Sequence, residues 1–231
     1  MLIQGLQKLT LLDFPGHVAC TVFLGGCDFR CPFCHNSSLI CGGEAVMDDA
    51  ALLAFLKKRQ GLLDGVAFTG GEPLLRRDLA PLLRAIRELG FAVKMDTNGN
   101  HPAVLRALVE EGLIDYVAMD IKNAPEKYAA TIGLETFDLS AVEESLALLK
   151  TGVVDYELRT TAVAEFHTDE DFRAIGRWIE GAKRYFIQCY TERDSVLCPG
   201  LTSPTEEELH RWCQIVRPFV AEAAVRGVGE G

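Results

Sequence analysis

No stretch of the chain approaches the roughly 18 consecutive apolar residues of a helical membrane span, and Lys8 and Asp13 interrupt the one short apolar stretch near its start. A basic segment followed by an apolar block and a small-residue cleavage site is missing too, so the expectation is a cytoplasmic protein with no membrane partner. Positive charge is scarce: 23 Lys and Arg against 33 Asp and Glu give a formal net charge of −10. That argues against a broad phosphate-neutralising surface, and so against a general nucleic-acid binder. Linkers, low-complexity segments and charge runs are absent as well. Nothing divides the 231 residues, and one domain over 1–231 is expected, with an N-terminal leader over 1–16 and a flexible tail over 222–231. Hydrophobic residues at 48% and charged residues at 24% exclude wholesale disorder.

What is present is a regular alternation. Short runs rich in branched and aromatic residues, Val18–Leu24, Val66–Thr69, Phe91–Met95, Tyr116–Ile121, part of Val153–Val163 and Tyr185–Tyr190, read as strands. Helical segments follow each of them. Asp48 and Asp78 are candidate N-caps, Pro102 suits a first helical position, and Ser140/Glu143, Thr168/Asp171 and Thr205/Glu208 have capping-box spacing. Six β-then-α units in series predict an α/β fold with a parallel sheet, either an open, partial barrel or a doubly wound sheet. Both place their sites at the carboxyl ends of the strands.

Eight cysteines in a long chain without an export signal point to metal ligands or thiol chemistry rather than a disulfide scaffold. Cys27, Cys31 and Cys34 follow the first strand with three and then two residues between them. Such spacing lets one loop wrap one metal centre, and thiolates suit iron–sulfur clusters and zinc. Three thiolates hold three corners of a four-iron cube and leave the fourth iron open to a small molecule. The plainer alternative is a zinc knot that adds His35, in a non-catalytic interaction module. Cys20 and Cys213 read as buried small hydrophobes, and Cys41, Cys189 and Cys198 carry no pattern.

The other polar motifs also sit just after strands. Gly70-Gly71-Glu72-Pro73 reads as a tight turn whose glycines permit close backbone approach. Asp96, Thr97 and Asp120 supply hard oxygens at adjacent strand ends, suited to a monovalent or divalent cation. Lys122 is placed to pair with a carboxylate, and Arg159, if it points inward from its strand, needs a partner. His17, His101 and His167 receive no role, and Trp178 and Trp212 read as core.

Cys27-x3-Cys31-x2-Cys34, with Phe33 before the third cysteine, resembles the cluster motif of the radical S-adenosylmethionine (SAM) enzymes, and Gly70–Pro73 resembles that family's GGEP motif. Asp96-Thr97-Asn98-Gly99 and Asp120-Ile121-Lys122 resemble segments of the glycyl-radical-enzyme activating proteins. Gly5–Thr10, Asp13–Gly16 and Cys34-His35-Asn36 look like the branch that activates anaerobic ribonucleoside-triphosphate reductase.

The resemblance implies a partial (β/α)6 open barrel with a 4Fe–4S cluster on Cys27, Cys31 and Cys34. It implies SAM bound by Phe33, Gly70, Gly71, Glu72, Pro73, Asp96, Asn98, Asp120, Lys122 and Arg159, with a monovalent cation at Asp96, Thr97 and Asp120. The implied reaction is reductive cleavage of SAM to a 5′-deoxyadenosyl radical, which takes hydrogen from a glycine of the partner enzyme. A reductant such as flavodoxin or ferredoxin supplies the electron. A radical SAM enzyme acting on a small molecule is the alternative within the same superfamily.

Overall fold

The computed structural model describes residues 3–40 and 43–227; Cys41 and the end of the expected tail, 228–231, lie outside them. Eight strands form one sheet in chain order: β1 (Ile3–Thr10), β2 (Ala19–Leu24), β3 (Gly65–Gly70), β4 (Ala92–Thr97), β5 (Tyr116–Asp120), β6 (Asp155–Ala162), β7 (Arg184–Cys189) and β8 (Glu222–Arg226). β1 pairs antiparallel with β2, and every later pair is parallel. The helices are α1 (Ser37–Ile40), α2 (Asp49–Lys57), α3 (Leu79–Glu88), α4 (Pro102–Glu110), α5 (Tyr128–Thr131), α6 (Ser140–Lys150), α7 (Asp169–Trp178) and α8 (Glu206–Val216).

Strand order separates the two architectures left open above. A doubly wound sheet reverses direction at a switch point; here each strand lies beside its predecessor. The sheet also curls. Phe14, in the β1–β2 connection, reaches Tyr116 on β5 with ring centroids 6.2 Å apart, across the span of β3 and β4. No ladder joins β1 to β8 among the described residues, so the barrel is open. The six expected strands form its wall as β2 to β7, and two further strands flank them.

Alternation along each strand sorts the two faces. On the convex face Val66, Phe68, Val93, Met95, Val117, Met119, Leu158 and Ile187 are wholly buried. Burying such side chains stabilises by about 1.5–3 kcal/mol each. The concave face carries Lys94, Asp96, Asp120, Glu157, Arg159 and Gln188, in register from β4 to β7. The core therefore lies between sheet and helices, and the barrel interior is polar.

Local signals explain most helix starts. Asp48 caps α2 by accepting from Ala51 N at 2.7 Å, and both Thr168/Asp171 and Thr205/Glu208 form complete capping boxes. Two expected caps are not made. Asp78 turns its carboxylate to the nearly buried Arg76 guanidinium, 2.9 Å away, and Ser140 bonds Asp138 instead of closing a box with Glu143. At Asp78 a nearer charged partner outcompetes the helix amides, whereas Ser140 is already the first residue of α6 and its own amide donates to Asp138.

The expectation of a flexible tail over 222–231 is corrected at its start. Glu222–Arg226 is strand β8, paired with β7. Its anchor is Arg226, which donates to both oxygens of Glu157 at 2.7 and 2.9 Å and lies over the Phe186 ring at 3.4 Å. Glu157 is 1% exposed and also accepts from the Tyr116 hydroxyl at 2.8 Å. Removing one partner of a fully buried ion pair costs about 3–5 kcal/mol. Arg226 keeps 38% side-chain exposure, so Arg226→Met is expected to cost less, about 2 kcal/mol by urea unfolding. Adding Glu157→Leu to that variant should restore a large part of the loss, because it removes the stranded carboxylate.

Candidate active site

The segment holding Cys27, Cys31 and Cys34 leaves the carboxyl end of β2 as an irregular loop, and neighbours on several sides fix it. The Gly70-Gly71-Glu72-Pro73 turn is pressed against it: Glu72 N donates to Gly26 O at 2.8 Å, and Gly71 N to Leu24 O at 2.8 Å. A Cβ at Gly71 would overlap the Gly26 carbonyl oxygen, so only glycine fits there. Asn36 Nδ2 donates to Gly70 O at 3.0 Å. Beyond α5, Ile132 O accepts from Arg30 N at 2.9 Å. From the loop after β7, Cys198 N reaches Pro32 O at 2.8 Å, and Thr191 O lies 2.7 Å from His35 Nε2. From the loop after β4, Asn98 Nδ2, Asn100 Nδ2 and His101 Nε2 all converge on the Asp28 carboxylate, at 2.7, 2.6 and 3.1 Å. Burial alone would raise Asp28; the His101, Asn100 and Asn98 bonds outweigh it and hold the carboxyl down at about 2.

A cavity of about 210 Å³ opens at the carboxyl ends of the strands. It brings together nearly every residue singled out from sequence: Cys27, Cys31, Cys34, Phe33, Gly70, Gly71, Asp96, Thr97, Asn98, Asp120, Lys122 and Arg159. Glu72 and Pro73 do not line it. Glu72 is 1% exposed and turns inward, accepting from Leu74 N, Thr97 Oγ1 and Asn98 N at 3.0, 2.9 and 2.6 Å. It ties the end of β3 to the end of β4, which positions Thr97 and Asn98. His167 is buried and bonds the backbone of Val163 and Lys122, a structural placement.

Arg159 does point inward. It meets Asp96 at 3.5 Å and Asp120 at 3.0 Å, while Lys122 meets Asp120 at 2.8 Å and Lys94 meets the other oxygen of Asp96. Of these, Lys122, Arg159, Asp96 and Asp120 line the floor of the cavity, and the buried Lys94 behind Asp96 brings the network to one net positive charge. Burial opposes ionisation of both carboxylates; Lys122 and Arg159 overcome it at Asp120, which falls to about 2, and Arg159 and Lys94 lower Asp96. Such a floor suits a ligand bearing a carboxylate. Asp28, His101, Lys94, Thr161 and Gln188 belong to this neighbourhood without having been picked out from sequence. For Lys94 a signal existed: Val93, Lys94, Met95 and Asp96 alternate apolar and charged, which marks one polar face on a strand inside the fold.

The donor set, three cysteines lining one cavity, has the chemistry to hold an iron–sulfur group. Burial pushes Cys27 up to about 12 and Cys31 up to about 11, so both are neutral thiols until a metal displaces their protons. All described cysteines are free rather than bridged.

A model of the Radical SAM superfamily matches residues 21–179. The chain is 30% identical over 236 residues to a Methanocaldococcus jannaschii protein named as a glycyl-radical enzyme activating enzyme, covering 98% of this chain and 96% of that one. It is 32% identical over 158 residues to the pyruvate formate-lyase-activating enzyme of Clostridium pasteurianum, covering 61% and 63%. Among solved structures, Streptococcus suis SuiB bound to the precursor peptide SuiA has a TM-score of 0.72 at 14% identity, covering 90% of this chain and 48% of that one, a likeness of fold.

Two outcomes test this geometry. Gly71→Ala is expected to destabilise by about 3 kcal/mol, since the overlap is with backbone that cannot rotate away, and to abolish cluster retention after reconstitution. For Glu72, burial raises the carboxyl to about 7 against its three donors. Its proton favours the fold fully below the ordinary glutamate value, and that contribution is lost as pH rises through about 7. The Tm of Glu72→Gln should therefore fall less between pH 5 and pH 8 than that of the wild type, by scanning calorimetry across those roughly 3 pH units.

Proposed function

The chain belongs to the radical SAM superfamily, and on that premise we propose that it installs a glycyl radical in a partner enzyme, anaerobic ribonucleoside-triphosphate reductase. Membership makes it an oxidoreductase that uses SAM and an iron–sulfur cluster. The observation that carries the reading is that three free thiols and the ion-paired cations Lys122 and Arg159 line one cavity. The glycyl-radical assignment is supported by a relative matched over 98% of the chain. The choice of the reductase rests on the segments Gly5–Thr10, Asp13–Gly16 and Cys34–Asn36.

In this reading Cys27, Cys31 and Cys34 hold a 4Fe–4S cluster, with flavodoxin or ferredoxin as the electron source. The chemistry supplied by cluster and SAM together is one-electron cleavage of the S–C5′ bond and removal of hydrogen from a glycine Cα. The chain's own residues bind, orient and exclude water. Lys122 and Arg159 present positive charge to the methionine carboxylate of SAM, and Asp96 and Asp120 hold those cations in fixed directions. The Gly70-Gly71 backbone offers close approach without side chains. Phe33, 4% exposed and packed on Phe166, screens one side of the cavity from water. The gap between β1 and β8 leaves an open side for a peptide loop.

Anaerobic reconstitution is expected to give brown protein with about four irons per chain that bleaches on reduction and cleaves SAM. Incubation with the reductase should then yield a glycyl radical signal by electron paramagnetic resonance. Cys31→Ala should lose SAM cleavage while keeping its far-ultraviolet circular dichroism. Colourless protein with stoichiometric zinc overturns the enzymatic reading. SAM cleavage with no radical on the reductase overturns the choice of partner alone.

A further inference from the structure

The oxygens of Asp96, Thr97 and Asp120, read from sequence as ligands of an inorganic cation, are already engaged by the protein itself, both carboxylates by side-chain cations. Thr97 Oγ1 donates to Glu72 Oε1 at 2.9 Å. Asp120 is taken by Arg159 and Lys122, at 3.0 and 2.8 Å. One oxygen of Asp96 faces Arg159 at 3.5 Å, and the other is bonded by the ammonium of Lys94. An inorganic cation at this place would sit against the three side-chain cations already bonded to those carboxylates, which repel it.

Lys94 is the unusual member. It lies two residues before Asp96 on the concave face of β4 and is 2% exposed. In the sheet register it stands between Ala67 on β3 and Tyr116 on β5, and Asp96 stands beside Ala118. The lysine stem is thus buried between the small Ala67 on one side and the Tyr116 ring on the other. A methionine would occupy that buried position without the cost of desolvating an ammonium, which a single ion pair seldom repays. A charge in that position is explained if the site requires one. An alkylammonium carries the same single charge as potassium, and tethering it to β4 removes any need to recruit it from solution.

We propose that Lys94 is a built-in replacement for a monovalent cation: its ammonium fixes Asp96, and through Asp96 the guanidinium of Arg159, so that SAM binds with no inorganic ion present. Lys94 is thus a positioning residue; it acts on the SAM carboxylate through its neighbours. The inference rests on the SAM-binding reading of this cavity.

The test is SAM affinity of the anaerobically reconstituted holoenzyme, by equilibrium dialysis, in choline chloride against potassium chloride or ammonium chloride at equal ionic strength. Wild-type affinity is expected to agree within about twofold across the three salts, and Lys94→Met to bind about tenfold more weakly in choline and to recover in potassium or ammonium. Iron content, read in parallel, should be the same for both proteins. Wild-type binding that weakens about tenfold in choline overturns the proposal whether or not the variant folds. So does Lys94→Met binding that is equal to wild type in choline, or equally weak in all three salts. A wild-type holoenzyme that binds no SAM in any salt overturns the SAM-binding reading itself, and this inference with it.

Discussion

Arg159 is the interaction on which the interior depends. It stands on β6 and reaches carboxylates from two other strands, Asp120 on β5 and Asp96 on β4. Without such a bridge the pairs Lys94–Asp96 and Lys122–Asp120 would stand apart, each confined to one short segment of chain. With it, the polar residues of three strands become one network that lines the cavity through Asp96, Asp120, Lys122 and Arg159. The polar interior in turn forces the hydrophobic core outward, between the convex face of the sheet and the helices. Layering, site position and charge of the cavity floor are consequences of one alternation, charged inward and apolar outward.

That alternation bears on what was legible beforehand. The six strands that build the wall and the strand-end motifs stand out because each is local: a run of branched residues, a glycine pair, a short cysteine spacing. All three cysteines, Gly70, Gly71, Asp96, Asp120, Lys122 and Arg159 are found from such signals, and the structure gathers them around one cavity. Glu72 was legible as part of a motif but not as to direction. Whether its carboxylate faces the cavity or the β4 loop depends on where Asn98 N and Thr97 Oγ1 lie, which no local pattern encodes. The same holds for Asp28 and His101, separated by 73 positions, and for Arg226 and Glu157, separated by 69. Strand β8 was missed for that reason: its anchor is a long-range ion pair, while its own short sequence beside a glycine-rich end resembles a fraying terminus.

The cysteine loop raises a different problem. It has almost no regular secondary structure, yet it has to present three thiols in one arrangement. Rigidity is supplied from outside, through bonds to residues on the loops after β3, β4 and β7 and after α5. Distributed support of this kind has a physical advantage. Each bond contributes only about 1 kcal/mol on its own, but bonds arriving from different directions restrict translation and rotation together, which no single stronger bond does. It also couples the loop to the charge network. Asn98 touches both Asp28 of the cysteine loop and Glu72 of the glycine turn, and its neighbours Thr97 and Asp96 carry that connection to Arg159. The thiol wall and the charged floor of the cavity are therefore parts of one hydrogen-bonded unit. A ligand spanning both would meet a site whose two halves are already in register, so little of its binding energy would go into assembling them.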